Sequence, residues 1–299
     1  MGPEGTFTEQ ALMSQRDLAA ADIQAVGSIP EVLNALAAGE VDAGFVPIEN
    51  AIEGAVNVTQ DTLAFDLDLL IQREVVLDVR LDLMAAPGVS LDEVHTVVSF
   101  PVALAQCRIF LAEHLPGAST AVASSTADAA RIVAESEPGL AAIANLRAAE
   151  LYGLDTLAEG VEDHPGNQTR FLLLARDGIP APSGHDKTTV VVYQRANEPG
   201  SLVRILQEFA ARNIDLSRLE SRPTRQGLGD YCFVFEFEGH IADEVVTDCL
   251  RELKLHQGDV KFLGSYPAAG HQSEIVRRDT NQRWRDAEQW VQDLRERIR

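Results

Sequence analysis

The sequence predicts an α/β protein in two parts, a two-lobed α/β region followed by a smaller ferredoxin-like βαββαβ unit. Three observations predict it. The order capping residue, helix, glycine, small apolar strand, polar residue occurs twice, from Ser28 to Asn50 and from Ser125 to Asn145. That is the layout of two similar α/β lobes with polar groups at strand ends. Residues 176–186 hold two prolines, two glycines and no periodicity, which marks a linker. Beyond it, strand and helix patterns follow in the order βαββαβ across 187–267.

Composition narrows the partners. The 299 residues leave room for two or more cores, and a 45% hydrophobic content is ordinary for a globular chain. No apolar run approaches the roughly 20 residues of a membrane span. The start, Met1-Gly2-Pro3-Glu4, has neither a basic nor an apolar leader region, so no secretory signal is expected. Cys107, Cys232 and Cys249 lie far apart in apolar patterns. Buried free thiols in a reducing cytoplasm are expected, and no metal-binding spacing is present. With 46 acidic and 25 basic residues the formal charge is −21. That argues against nucleic acid or an anionic membrane as partner. An anionic ligand must then be held by local devices, chiefly helix N-termini and a few arginines.

Gly2-Pro3-Glu4-Gly5-Thr6-Phe7-Thr8 reads as a glycine-rich turn entering a helix over 9–20, with Thr6 or Thr8 as N-cap. Its backbone N–H groups suit a carboxylate or phosphate, and a plain capped turn explains the same residues. A short strand is expected over 23–27. A capping box at Ser28 and Glu31 then opens a helix to 38, ended by Gly39. Residues 42–48 form a strand of small apolar residues, buried on both faces. It runs into Val46-Pro47-Ile48-Glu49-Asn50. A carboxylate and an amide at the carboxyl end of a buried strand sit where open α/β sheets bind ligands. Capping of the next helix is the competing use. Two extended segments, 69–73 and 75–84, are expected to cross between the lobes.

A second βα series follows. Residues 94–99 read as a strand, with Ser99-Phe100-Pro101 starting a helix to 114. Residues 119–123 are a strand, and Ser124-Ser125-Thr126 cap a helix to 136. Residues 140–144 form another buried strand, and Asn145 opens a helix to 152. Gly166-Asn167 is a turn before a strand over 169–175. Alternation puts Thr169 and Phe171 on one face of it and Arg170 on the other. A hydroxyl, a guanidinium and a ring thus sit at the mouth of an apolar strand, although good β formers beside a solvated arginine would look the same.

After the linker, 187–195 is a strand and Asn197-Glu198-Pro199-Gly200 a turn. A helix over 201–212 carries Leu202, Ile205, Leu206 and Phe209 on one face. Strands over 214–222 and 229–238, a helix over 243–255 and a strand over 259–266 complete the unit. Trp284, Ala287, Val291, Leu294 and Ile298 form a two-heptad apolar stripe. It is expected to pack on the body or on a subunit partner.

Four stretches occur in one order: Gly2-Pro3-Glu4-Gly5-Thr6-Phe7-Thr8, Val46-Pro47-Ile48-Glu49-Asn50, Asn167-Gln168-Thr169-Arg170-Phe171, and Glu220-Ser221-Arg222-Pro223. Together they resemble prephenate dehydratase with a C-terminal ACT regulatory domain. The resemblance implies a catalytic domain over 1–177, an ACT domain over 187–267 and a helical extension over 268–299. It implies a type II, periplasmic-binding-protein-like catalytic domain with its site between two lobes. The implied reaction converts prephenate to phenylpyruvate, water and carbon dioxide in phenylalanine biosynthesis, with no cofactor or metal.

Carried over residue by residue, the catalytic role falls on Thr169, with Arg170, Phe171 and Glu49. Substrate contacts fall on Thr6, Pro47, Asn50, Ser99, Thr126 and Asn167. Threonine is a poor acid, so a carboxyl group or water is expected behind it, Glu49 first. The ACT resemblance implies L-phenylalanine as allosteric effector, bound between subunits of a homodimer or homotetramer. Its contacts would be Asn197, Gly200, Ser201, Leu202, Glu220, Ser221, Arg222 and Pro223. Arogenate dehydratase and a non-catalytic amino-acid sensor are the alternative functions. Two departures stand out. Met1 occupies the place of the apolar strand that precedes the glycine turn in the family, so a start upstream or a shortened chain is expected. Ala51 stands where a serine commonly follows.

Overall fold

The protein is described by a computed structural model at residues 4–194, 198–225, 227, 229–269 and isolated positions from 286 to 296. It divides into two compact units. The first comprises Met1–Asn34, Phe45–Thr59 and Val75–Phe171, and the second Ala35–Gly44, Gln60–Glu74 and Leu172–Arg299.

The stretch read as one N-terminal helix is two, α1 (Phe7–Met13) and α2 (Arg16–Ala19). The Ser14 hydroxyl donates back to the Ala11 carbonyl at 2.7 Å, a local bond that competes with helix continuation. The strand expected over 23–27 does not form. Those residues are mostly exposed and carry no strand assignment, as expected of an extended segment without a ladder partner. α3 (Ile29–Ala38) begins at the predicted capping pair, where Ser28 Oγ donates to Glu31 at 2.9 Å and Gly27 N to the same carboxylate at 3.0 Å.

β1 (Gly44–Asn50) starts two residues later than expected and turns back into the short β2 (Gly54–Ala55). α4 (Asn57–Asp61) follows and passes directly into a π-helical turn, Thr62–Asp66. β3 (Leu70–Asp78) is one continuous strand, so the break lies before β4 (Asp82–Ala85) and not at Glu74. Next come β5 (Thr96–Ser99), α5 (Pro101–Gln106), α6 (Arg108–His114), β6 (Ser119–Val122) and α7 (Thr126–Ala134). The helix expected to run unbroken to 114 is therefore interrupted at Cys107. β7 (Leu140–Ala144), α8 (Leu146–Tyr152), β8 (Asp155–Ala158) and β9 (Gln168–Ala175) complete this part.

The first unit contains a five-stranded sheet in the order β6-β5-β7-β4-β8, with β5 parallel to both β6 and β7. Both faces are covered, as parallel strands of small apolar residues require. Leu83, Val97 and Ile143 pack with Ala103 and Cys107 on one side. Met84, Val98 and Ala142 pack with Ala129, Ala130 and Ala148 on the other. A second, four-stranded sheet has the order β2-β1-β9-β3.

The second unit holds β10 (Asp186–Tyr193), α9 (Ser201–Ala211), β11 (Leu216–Pro223), β12 (Tyr231–Glu238), α10 (Glu244–His256) and β13 (Asp259–Pro267). Their sheet is antiparallel in the order β11-β12-β10-β13, the expected ferredoxin-like unit. One face packs Val190, Val192, Phe233, Phe235 and Phe237 against Ile205 and Phe209 of α9 and Val246, Cys249 and Leu253 of α10. The other face lies on residues 60–74 of the same unit. There Lys187 Nζ pairs with Glu74 at 3.0 Å, and Lys261 Nζ donates to the Leu67 carbonyl at 2.9 Å. β13 approaches β3 so closely that only glycine fits at Gly264 (φ 142°). A Cβ there would lie 2.7 Å from the Ile71 carbonyl oxygen. Of the C-terminal apolar stripe, only Val291 falls among the described residues.

Candidate active site

In the first unit, Ala51 N donates to the Gln168 carbonyl at 2.8 Å and Val79 N to the Asn167 carbonyl at 2.7 Å, gripping the start of β9 from both sides. Beneath it, the buried Phe171 ring stacks on Phe45 with centroids 5.4 Å apart, so Phe171 serves as packing that holds the strand. Thr169 and Arg170 are half-buried above this base.

The sequence elements 119 positions apart meet here. Asn50 Nδ2 donates to Thr169 Oγ1 at 2.9 Å. The other end of the carboxamide is spent, since Asn50 Oδ1 accepts from Ile52 N and Glu53 N, each at 3.0 Å. Asn50 and Glu49 therefore end a strand and shape a turn; they do not cap a helix. With Asn50 oriented by two backbone donors, only its NH₂ group can face Thr169, and the threonine oxygen acts as acceptor. The Thr169 proton is then directed away from Asn50. Glu49 forms an ion pair with Arg170 at 3.1 Å, with side-chain exposures of 39% and 11%. The bond that Thr169 receives comes from the neighbouring amide; the carboxylate expected behind the hydroxyl is held by the guanidinium.

Other predicted residues are placed as follows. Thr6 caps α1, accepting from Glu9 N at 3.4 Å. The turn before it presses on the starts of α7 and α8, because a Cβ on Gly5 (φ 87°) would lie 3.5 Å from Ala127 Cβ and 3.4 Å from Ala148 Cα. Thr126 is half-buried in the first turn of α7, behind the N-cap Ser125. Asp128 in that turn accepts from the Ser124 hydroxyl at 2.7 Å and from Arg131 at 2.7 Å. These two bonds, the hydroxyl's first, hold its carboxyl below the usual range. Pro47 presents its carbonyl to Thr59 Oγ1 at 2.7 Å. Ser99 is fully buried and donates to the Ile143 carbonyl at 2.6 Å, so its hydroxyl is engaged inside the sheet.

Asn167 is buried. Its Nδ2 lies 3.4 Å from Gln106 Oε1, and its Oδ1 has no hydrogen-bond partner among the described residues. Gln106, at the end of α5, was not singled out by the sequence reading. Gln106 meets Asn167 across 61 positions, a relation that only the fold reveals. Asn145, read from the sequence as opening the helix to 152, does so: its Oδ1 caps α8 by accepting from Ala148 N at 2.8 Å, while its buried Nδ2 has no hydrogen-bond partner among the described residues.

In the second unit, a cavity of about 330 Å³ is lined by the predicted Gly200, Ser201, Leu202 and Ser221. Gln194, Val203, Tyr231 and Phe233 line it as well. Glu220 instead pairs with Arg218, and Arg222 with Asp61. Asn197 lies outside the described residues. The three cysteines are free and buried. Burial pushes the thiols of Cys107 and Cys249 up to about 12 and that of Cys232 up to about 11, so none is a ready nucleophile. Among the described residues no cluster of His, Cys, Asp or Glu suits a metal ion, and no helix is long and apolar enough to cross a membrane.

Comparison with known proteins adds independent findings. The profile of the prephenate dehydratase family matches residues 1–179, and that of the ACT domain matches 188–255. The prephenate dehydratase of Mycolicibacterium gilvum (strain PYR-GCK) is 44% identical over 278 residues, covering 89% of each chain. That of Mycobacterium tuberculosis (strain ATCC 25618 / H37Rv) is 44% identical over 300 residues, covering 95% of this chain and 91% of its own. Among solved structures, the prephenate dehydratase of Arthrobacter aurescens in complex with L-Phe superposes with a TM-score of 0.90 at 40% identity, covering 99% of this chain and 98% of the other.

Proposed function

We propose that this chain, which belongs to the prephenate dehydratase family and carries an ACT domain, converts prephenate to phenylpyruvate, water and carbon dioxide under feedback control by L-phenylalanine. The observation that carries the mechanism is the bond from Asn50 Nδ2 to Thr169 Oγ1. Prephenate holds a ring hydroxyl and a ring carboxylate across a diene whose aromatisation drives the reaction. As the bond to the ring carboxylate breaks, carbon dioxide leaves and its electron pair enters the ring. The carbon–oxygen bond to the hydroxyl breaks at the far end, and the departing oxygen takes one proton to become water. Thr169, its oxygen anchored by Asn50, aims its own hydrogen at that oxygen, and a proton from solvent water replaces the one it hands over, so that no alkoxide remains. Positioned proton donation of this kind contributes on the order of 10²- to 10⁴-fold.

The Glu49–Arg170 pair borders the same strand mouth and keeps a carboxylate and a guanidinium beside the reacting ring. Backbone N–H groups at the start of α7, with the Thr6 turn and Thr126 beside them, are the dock for the side-chain carboxylate. Pro47 shapes the strand behind Glu49, and Ser99, Asn167 and Phe171 set the surrounding frame. The reading takes 1–177 as the catalytic domain, 187–267 as the ACT domain and 268–299 as an extension. It needs no cofactor, and a reducing cytoplasm suits three buried thiols. The cavity beside Ser201 and Ser221 is the L-phenylalanine site, between subunits of a homodimer or homotetramer, with β11 as the free edge of its sheet.

The test is ultraviolet detection of phenylpyruvate formed from prephenate by the purified protein. Thr169→Ser is expected to keep turnover within about tenfold, while Thr169→Val loses about 10² to 10⁴ in kcat. Equal losses in the two variants would remove the hydroxyl from the mechanism.

A further inference from the structure

Strand β11 carries two kinds of residue on its two faces. Ser221 lines the effector cavity, opposite Phe233. Arg222, the next residue, points to the other face, as strand alternation requires. There its Nε donates to Asp61 Oδ1 at 2.9 Å, and its Nη2 contacts the same oxygen. Arg225 donates to the second oxygen, Asp61 Oδ2, at 2.9 Å, with its guanidinium 5.2 Å above the Phe65 ring. On β10 the arrangement repeats. Gln194 lines the cavity, and the preceding Tyr193 donates its hydroxyl to the Ala64 carbonyl while its ring meets Phe65 edge-on at 6.4 Å. Two strands that form the cavity thus hold one helical segment, residues 61–65, by a carboxylate, a carbonyl and a ring.

That segment departs from a regular α-helix. Asp61 ends α4, and the next five residues form the π turn, a rare form frequently found at functional sites. Gln60, immediately before Asp61, is 4% exposed, yet neither atom of its carboxamide has a hydrogen-bond partner among the described residues. A buried polar group left without partners costs about 1–3 kcal/mol, which marks a segment not at its own optimum. Thr59, the residue before Gln60 and fully buried, donates to the Pro47 carbonyl on β1, two residues from Glu49 and three from Asn50.

We infer that Asp61 is the positioning residue that couples the L-phenylalanine cavity to the strand of Glu49 and Asn50, an inference that rests on the effector role proposed above. A ligand between Gln194, Ser201 and Ser221 shifts the ends of β10 and β11. Tyr193, Arg222 and Arg225 carry that shift to residues 61–65, and the stiff turn of α4 delivers it through Thr59 to Pro47. The physical warrant is one chain segment, α4 with its π turn, held at Asp61 by the cavity strands and bonded through Thr59 to Pro47 of β1.

The experiment compares wild type, Asp61→Asn and Asp61→Glu by calorimetric binding of L-phenylalanine, by turnover of prephenate with and without it, and by thermal unfolding. Asp61→Asn is expected to bind L-phenylalanine within about threefold of wild type and to keep its uninhibited turnover, while the turnover that remains at saturating L-phenylalanine rises at least tenfold. Asp61→Glu is expected to restore much of the inhibition. Arg225→Gln, which removes only the exposed arm of the clamp, is expected to weaken inhibition by a smaller factor and serves if Asp61→Asn unfolds early. Unchanged inhibition in both Asp61→Asn and Arg225→Gln, with binding intact, overturns the coupling and leaves the effector role standing. Wild type that binds no L-phenylalanine overturns both.

Discussion

Two carboxylate clusters, one in each unit, use similar groups to opposite ends. In the second unit, Lys187 Nζ sits 3.0 Å from Glu74 and 3.4 Å from Glu236, whose side chains are 1% and 5% exposed. Tyr266, Ser217 and the Ala269 N–H complete their hydrogen bonds. In the first unit, the Glu49 side chain of the Glu49–Arg170 pair is 39% exposed, and the pair stands beside the Thr169 hydroxyl that accepts from Asn50. The buried cluster is closed around its charges, as a low-dielectric site demands. The strand-mouth cluster is the more exposed of the two. Buried, bonded charges of this kind fix the sheet to its floor, whereas the acidic side of the strand-mouth pair meets solvent.

Removing one partner from each cluster tests the contrast. Lys187→Met removes the ammonium shared by the buried Glu74 and Glu236, an expected loss of about 3–5 kcal/mol. The melting temperature is then expected to fall by about 10 °C in calorimetry, with turnover of the folded fraction retained. A change within about 1 °C would mean the pair is not what seals that face. At the strand mouth, Asn50→Asp keeps an oxygen to accept from Ile52 N and Glu53 N but removes the amide that donates to Thr169. A lost neutral hydrogen bond corresponds to about a 10- to 100-fold fall in kcat, with little change in melting temperature. An equal fall in stability would assign Asn50 to the turn alone.

The smallest effect concerns the thiols. Burial raises all three, so they stay protonated in the native protein at pH 8, and a thiol reagent is expected to label none until denaturant is added. Because the folded values lie above the unfolded ones, their contribution to stability is complete below about pH 9 and fades as pH rises toward the folded values. Denaturation midpoints that are flat from pH 8 to 11 would contradict this.

Much of the βαββαβ unit was legible because each element carries its own period, as with Leu202, Ile205, Leu206 and Phe209 on α9. Half of its cavity was not, since Tyr231 and Phe233 reach Ser221 only through the β11–β12 register. The same limit hid the partner of Thr169. The strand and the residue types were readable, but which distant amide meets the hydroxyl depends on strand placement. Ile23 and Val26 looked like a strand and found no neighbour to pair with. The helix breaks at Ser14 and Cys107 came from local bonding and packing that apolar spacing does not encode.

The closeness of β13 to β3 at Gly264, with the Lys187–Glu74 and Lys261–Asp68 contacts around it, means that the linker over 176–186 is not what joins the ACT sheet to the rest of its unit. Residues 60–74 precede that linker by a hundred positions, yet they form the floor of the sheet. A protease nick between Pro180 and Ser183 would therefore yield two polypeptides that travel together as one particle. A gene shortened to end at the linker would instead lay bare an apolar floor and make a protein prone to aggregate.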